Sequence, residues 1–104
     1  MKEFKRISAE DAKQLIDSTP VTLVDIRDEQ SYATSRMPNA QHLENSNLQD
    51  FIENADLDKP LIVCCYHGNS SQSAAQFLLE KGFEDVYSLD GGFEYWRTHF
   101  PIES

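Results

Sequence analysis

The chain has 104 residues, which is enough for one domain with its own hydrophobic core and without metals or disulfides. A composition of 39% hydrophobic and 11% aromatic residues is typical of a folded globular protein rather than a disordered one. The formal net charge of −9 argues against nucleic acids and anionic membranes as partners, because both bind basic surfaces. It would also repel a small anionic substrate, so a site for such a substrate needs a local positive field.

The cysteines and the hydropathy pattern indicate in which cellular compartment the protein is expected. The only two cysteines, Cys64 and Cys65, are adjacent, so they cannot close an ordinary disulfide loop. The N-terminal segment contains no apolar stretch of the signal-peptide type, and no apolar run approaches the length of a membrane span. We therefore expect a cytoplasmic protein and a single domain over residues 1–104.

The first part of the chain predicts two strands that alternate with two helices. Residues 4–7 are a candidate edge strand, and Ser8 is a candidate N-cap for a helix that ends near residue 18. Residues 21–26 are nearly all apolar, which suits a central parallel strand buried on both faces. Asp28 can cap a short helix that continues through Tyr32.

The middle of the chain predicts a turn over residues 35–40, a short strand over 41–43 and a further helix. His42, in this strand, is interpreted as a hydrogen-bonded structural histidine. Ser46 is the candidate cap of the helix, which is expected to end at Asn54.

The last part predicts two more strands, each followed by a helix. Residues 61–64 are apolar and β-prone, and helical spacing begins after residue 71, with Gly82 as the C-cap. Residues 85–89 form the final candidate strand, and after a sharp turn comes a helix anchored by Trp96. This alternation predicts an α/β fold with a mainly parallel sheet and helices on both faces.

The break between the strand at 61–64 and its helix has the features of an anion-binding loop. Cys65 lies at the carboxyl end of the strand, the edge where open α/β sheets bind ligands. Small residues after it allow successive N–H groups to turn inward, and the helix adds its own free amides. A thiolate there would have a lowered pKa and would be a nucleophile. The alternative is an ordinary buried strand with two core cysteines.

Arginines near other strand ends are candidate supports for this loop. Asp25 and Arg27 follow the central strand and are interpreted as a structural ion pair, with direct substrate contact by Arg27 as the alternative. Arg36 adds a positive charge whose role the sequence does not fix. Residues 60–79 carry no formal charge, so backbone donors must do most of the anion binding.

Three segments in this order resemble the rhodanese family. They are Asp25-Ile26-Arg27 after a buried strand, the loop at 65–71 with the sequence Cys-Tyr-His-Gly-Asn-Ser-Ser, and Asp90-Gly91-Gly92 followed by Trp96. The resemblance covers essentially the whole chain and is greatest to single-domain thiosulfate sulfurtransferases of the GlpE type.

The resemblance implies a five-stranded parallel α/β domain, no cofactor and a ping-pong transfer of sulfur. Cys65 corresponds to the cysteine that attacks the outer sulfur of thiosulfate, releases sulfite and becomes a persulfide. The acceptor would be cyanide or a protein dithiol such as thioredoxin. The residues that correspond to the persulfide-binding loop are Tyr66, His67, Gly68, Asn69, Ser70 and Ser71.

The chain departs from the family pattern at three places. Many members carry an arginine where this loop has Ser70 and a basic residue where it has Tyr66, so charged contacts to thiosulfate are missing and weaker affinity is expected. The usual His-Ile-Pro-Gly turn is replaced by residues 36–39, where Asn39 can still adopt the left-handed conformation.

Other functions remain open. A cysteine-type phosphatase or arsenate reductase would need an arginine six residues after the cysteine, where this chain has Ser71. A non-catalytic interaction domain is disfavoured because Cys65 is retained. A persulfide carrier with a protein donor would keep all of these residues, so the sequence separates it poorly from the transferase.

Three neighbouring side chains are assigned lesser roles. Adjacent cysteines on a strand point to opposite faces, so Cys64 is predicted to be a structural thiol. The spacing of cysteines and histidines matches no common zinc pattern, so no metal site is expected. His67 would shape the loop through a hydrogen bond or, if protonated, tune its field.

Overall fold

The structure, a computed structural model, describes residues 3–104, and these form one five-stranded sheet with five helices. The strands are β1 (Lys5–Ile7), β2 (Thr22–Asp25), β3 (Gln41–His42), β4 (Leu61–Cys64) and β5 (Val86–Leu89). The helices are α1 (Ala9–Ser18), α2 (Glu29–Thr34), α3 (Leu48–Asn54), α4 (Ser70–Glu80) and α5 (Gly92–His99). All strand pairs are parallel, in the order β1-β5-β4-β2-β3, which confirms the predicted fold class.

The sheet is covered on both faces, as the unbroken apolar strands predicted. Leu23 and Ile62 pack with residues of α1 and α5, whereas their neighbours Val24 and Val63 pack with residues of α4. Trp96 of α5 is only 2% exposed and lies in the first of these clusters. Since side chains alternate along a strand, one apolar run fills two cores. Within residues 3–104, no helix is long and apolar enough to cross a lipid bilayer.

The N-caps of the helices were predicted correctly in two cases and wrongly in one. Ser8 accepts a hydrogen bond from the Asp11 amide, and Asp28 accepts one from the Ser31 amide. Ser46, however, does not cap α3, because the residue at that position is Asn47.

The Asn47 side chain makes no capping bond and is used in the preceding turn instead. It accepts from the Glu44 amide at 2.8 Å and donates to the His42 carbonyl at 2.8 Å. The helix therefore starts later than predicted, because the chain is still turning out of β3. Another local prediction is confirmed, since Asn39 has the positive φ of 67° expected of a glycine substitute.

The predicted ion pair between Asp25 and Arg27 is present and fully buried. The side chains of Asp25 and Arg27 are 0% and 3% exposed, and Nη2 of Arg27 lies 2.7 Å from Oδ2 of Asp25. The same Nη2 donates to the Ser35 carbonyl at 2.7 Å, and the guanidinium lies 4.1 Å from the ring centroid of Phe93. His42 contacts the Arg27 carbonyl through Nε2, consistent with its structural interpretation. The pair thus ties the end of β2 to α2 and α5.

We predict that Asp25→Ala lowers the free energy of unfolding by about 3–5 kcal/mol, because it leaves the guanidinium of Arg27 buried without its counter-charge. Urea denaturation measures this loss. The control is Asp17→Ala, which removes the partner of Lys13 in an exposed pair on α1 and should cost under about 1 kcal/mol. Equal small losses for both variants would contradict the structural role of the buried pair.

Candidate active site

The loop between β4 and α4 surrounds the sulfur of Cys65 with hydrogen-bond donors. The amide of Gly68 lies 3.2 Å from Sγ and the amide of Ser71 lies 3.3 Å from it. The Ser71 hydroxyl is also in hydrogen-bond contact with Sγ, at 3.2 Å. Cys65 is 3% exposed, so these contacts form in a site that largely excludes water. The inward-facing amides expected from the sequence are therefore present.

The donors lower the pKa of the Cys65 thiol in spite of its burial. Burial by itself raises this pKa, but the hydroxyl and amide of Ser71 and the amides of Gly68 and His67 together outweigh it. None of these donors carries a formal charge, and the N-terminal end of α4 adds its dipole in the same direction. The arrangement therefore favours a thiolate, the nucleophilic form of cysteine.

The start of α5 holds the loop in this conformation. The amide of Phe93 donates to the Cys65 carbonyl at 2.8 Å, and the amide of Glu94 donates to the Tyr66 carbonyl at 3.1 Å. In a trans peptide the C=O and the following N–H point in opposite directions. Fixing the Tyr66 carbonyl on α5 therefore turns the amide of His67 away from α5 and towards the sulfur, where it contributes to the lowered pKa.

Gly92 makes this close approach possible. A β-carbon on Gly92 would lie 2.5 Å from the carbonyl carbon and oxygen of Tyr66 and 2.6 Å from the Cys65 oxygen. Gly68 faces the same junction, since its β-carbon would lie 3.0 Å from the Gly91 nitrogen. Glycines therefore lie on both sides of the contact between the loop after β4 and the loop after β5. The sequence predicts residues 90–92 as a sharp turn and as one of the segments that resemble the rhodanese family, but it does not indicate their contact with the loop at Cys65.

Cys64 lies on the opposite side of the strand end, as predicted. It is 1% exposed and belongs to the core cluster beneath α1 and α5. Burial, followed by the negative charge of Asp25, raises the pKa of Cys64 well above its ordinary value. Both cysteines are free. Their environments therefore differ strongly, and only Cys65 has the contacts of a nucleophile.

The remaining loop residues are placed at the surface. Tyr66 is 40% exposed, and its hydroxyl lies 3.1 Å from the hydroxyl of Ser31. His67, Asn69 and Ser70 are exposed. Within residues 3–104 the imidazole of His67 makes no hydrogen bond to another residue, so its main-chain amide, and not the predicted side-chain bond, shapes the loop.

The arginines proposed as supports do not contact the loop sulfur. The guanidinium of Arg27 is bonded to Asp25, which leaves it poorly suited to the alternative role of substrate ligand. Arg36 donates to the Tyr32 carbonyl at 3.2 Å and pairs with Glu103 near the end of the chain. Neither arginine therefore supplies, by direct contact, the local positive field that the sequence called for.

Among the charged residues that line one cavity beside the loop, acids outnumber bases. The cavity has a volume of about 720 Å³, borders the loop at Ser70 and is lined by Asp28, Glu29 and Glu44 as well as by Arg27, whose charge is paired with Asp25. A small dianion that approaches from this side meets negative charge. On this side, attraction for an anion at Cys65 must therefore come from the amides of the loop and the end of α4.

We predict that the rate of Cys65 alkylation by iodoacetamide rises with pH and reaches half its plateau below the pKa of an unperturbed cysteine, about 8.5. The direction follows from the lowered pKa, because only the thiolate reacts. Mass spectrometry of the peptides separates the product at Cys65 from any at Cys64. A midpoint at or above that of a free thiol would contradict the lowered pKa.

We predict that Gly92→Ala moves this midpoint upward and slows alkylation at neutral pH, because the added methyl group pushes Tyr66 and the amide of His67 out of place. Gly82→Ala is a matched control: Gly82 also has a positive φ, of 117°, but its β-carbon would meet only a Leu57 side-chain carbon, at 3.5 Å. Both variants should lose stability, by about 1–3 kcal/mol from backbone strain. Identical alkylation profiles for the two variants would show that the contact at Gly92 does not set the pKa of Cys65.

Comparisons with known proteins agree with this geometry. A family model described as "Rhodanese-like domain" matches residues 8–99. A protein named "Thiosulfate sulfurtransferase GlpE" from Pseudomonas fluorescens (strain SBW25) is 59% identical over 99% of this chain and 94% of its own length. A protein of the same name from Ectopseudomonas mendocina (strain ymp) is also 59% identical, over 100% of this chain and 94% of its own.

A solved structure gives the same result for the fold. The solution structure of a rhodanese-like domain from Anabaena sp. superimposes with a TM-score of 0.86 at 21% identity, and the match covers 100% of this chain and 80% of that one. At this identity the likeness concerns the fold alone. The family model and the full-length relatives go further, and they show that this chain belongs to the rhodanese family.

Proposed function

We propose that this chain is a thiosulfate sulfurtransferase that carries sulfur on Cys65. One observation carries the proposal. The sulfur of Cys65 is buried, and it is contacted by the amides of Gly68 and Ser71 and by the Ser71 hydroxyl. The names of the full-length relatives support the same activity.

The first half-reaction follows from the thiolate. Sγ of Cys65 attacks the outer sulfur of thiosulfate, the bond between the two thiosulfate sulfurs breaks, and sulfite leaves with the electron pair of that bond. The products are sulfite and a Cys65 persulfide with one negative charge. The charge moves outward by one sulfur atom, and the uncharged donors at residues 66–71 remain in position to stabilise it.

The second half-reaction returns the cysteine to its starting form. A nucleophile such as cyanide attacks the outer sulfur, the sulfur–sulfur bond of the persulfide breaks, and Sγ of Cys65 leaves as the thiolate. A protein dithiol such as thioredoxin is the proposed biological acceptor. The cytoplasm is the proposed compartment, because a reducing environment keeps such thiols available.

A persulfide carrier loaded by another protein is the second candidate. The observation that favours it is the charge around the cavity that borders the loop at Ser70, where Asp28, Glu29 and Glu44 outnumber Arg27 and so repel a dianion such as thiosulfate. Salt screens this repulsion. A KM for thiosulfate that falls as ionic strength rises would show that the dianion reaches the sulfur against this field, whereas sulfur uptake only from a protein persulfide would favour the carrier.

The structure weighs against a phosphatase. Phosphate ester hydrolysis of this type needs a bidentate arginine at the anion, and the corresponding position is Ser71. Arg27 cannot replace it without leaving Asp25 unpaired in the core. A non-catalytic interaction domain would have no use for the donors around Cys65.

We predict that Cys65→Ser abolishes sulfite release from thiosulfate, whereas Cys64→Ala retains most of it, because only Cys65 lies among the loop amides. The intact mass of the wild-type protein should increase by one sulfur atom with thiosulfate and return to its original value with cyanide. Neither change should occur in Cys65→Ser. Equal losses in the two variants would refute the assignment of the nucleophile, and phosphate release from an aryl phosphate without sulfur uptake would refute the transferase.

A further inference from the structure

A second buried hydroxyl stands behind the one that contacts Cys65. Oγ of Ser88, on β5, lies 2.7 Å from Oγ of Ser71, on α4, which in turn lies 3.2 Å from Sγ of Cys65. Both serines are 0% exposed. The three atoms therefore form a continuous hydrogen-bonded chain away from solvent, and neither the family motifs nor the loop sequence includes Ser88.

Ser88 is unusual for its position. Its neighbours Val86 and Leu89 on β5 are buried apolar residues of the two core clusters. A hydroxyl in such a place is costly unless it is hydrogen-bonded, and Ser88 makes its side-chain bond to Ser71. The position therefore has a polar group where packing alone would favour an apolar one.

The direction of the bonds depends on the charge at the sulfur. A serine hydroxyl has one hydrogen to donate and two lone pairs to accept with. When Cys65 is a neutral thiol, its S–H can donate to the Ser71 oxygen, and the Ser71 hydrogen is then free to turn to Ser88. When Cys65 is an anion, the Ser71 hydrogen must point to the sulfur, and the Ser88 hydroxyl must donate to Ser71. The thiol proton itself leaves to solvent. Between the two serines only the hydroxyls rotate, and no proton passes from one serine to the other.

We propose that Ser88 is a positioning residue for the thiolate and persulfide of Cys65 and that it acts only through the Ser71 hydroxyl. Ser71 lies in the first turn of α4, where a serine hydroxyl can otherwise turn to a nearby main-chain group. Donation from Ser88 occupies a lone pair of Ser71 and keeps its single hydrogen on the sulfur. The need for an anion at Cys65 rests on the proposed sulfur transfer, but the hydrogen-bond chain can be tested without thiosulfate.

The test is the pH dependence of Cys65 alkylation in Ser88→Ala. The midpoint should move upward, so that the rate at neutral pH falls roughly two- to tenfold, as expected for the loss of one hydrogen bond, while the high-pH plateau is retained. Ser88→Thr keeps a hydroxyl and should restore the midpoint at least in part. Val86→Ala truncates an apolar side chain on the same strand that makes no hydrogen bond to Ser71, and it should lower stability without moving the midpoint.

A double-mutant cycle separates positioning from general packing. If Ser88 acts through Ser71, the double variant Ser71→Ala/Ser88→Ala should have the same midpoint as Ser71→Ala alone. Additive shifts, an unchanged midpoint in Ser88→Ala, or an equal loss of rate at every pH would each overturn the proposal. Because alkylation needs no sulfur donor, these results stand apart from any failure of thiosulfate turnover.

Discussion

The hydrogen bonds from uncharged donors to the sulfur of Cys65 are the interaction on which the rest of the site depends. Burial of a thiol favours its neutral form, and at Cys64, one residue away, this effect outweighs the opposing charge of Arg27 and raises the pKa. At Cys65 the amides of Gly68 and Ser71 and the Ser71 hydroxyl reverse it. Two adjacent cysteines therefore have opposite protonation behaviour, and the difference arises from the peptide groups that surround each sulfur rather than from any nearby cation.

The fold supplies those peptide groups through the order of its strands. β4 and β5 are parallel neighbours, so the loops at their carboxyl ends lie side by side. The loop after β5 begins α5, whose first amides bond to the carbonyls of Cys65 and Tyr66. Each bond fixes a peptide plane and thereby aims the next N–H. Gly92 is required at this contact because any side chain there would occupy the space of the Tyr66 carbonyl. The site around the Cys65 sulfur is thus built from two loops, of which only one contains the proposed nucleophile.

The sequence predicted those features that depend on residues close together in the chain. Apolar runs predicted the strands, and Ser8 and Asp28 predicted the starts of two helices. The position of Cys65 between a strand and a helix predicted the loop. Ser46 is not the cap because the helix begins later, at Leu48. The turn after β3, held by the Asn47 side chain, occupies the residues before it. The roles of Gly92 and Ser88 could not be inferred from local pattern, because each depends on contact with a residue 17 or more positions away. The sequence predicted that loop amides would turn inward, but it assigned His67 a side-chain role, whereas this residue contributes through its amide.

The absence of a cation in the loop has a consequence for turnover. The thiolate and the persulfide each carry one negative charge, whereas thiosulfate and sulfite are dianions. A cluster of dipoles stabilises a single charge held at its focus but attracts a distant dianion less strongly than an arginine would. The acidic lining at Asp28, Glu29 and Glu44 weakens that attraction further. In the proposed transfer, binding energy is therefore concentrated on the covalent sulfur anion rather than on thiosulfate and sulfite. This predicts a lower affinity for thiosulfate and an easier departure of sulfite.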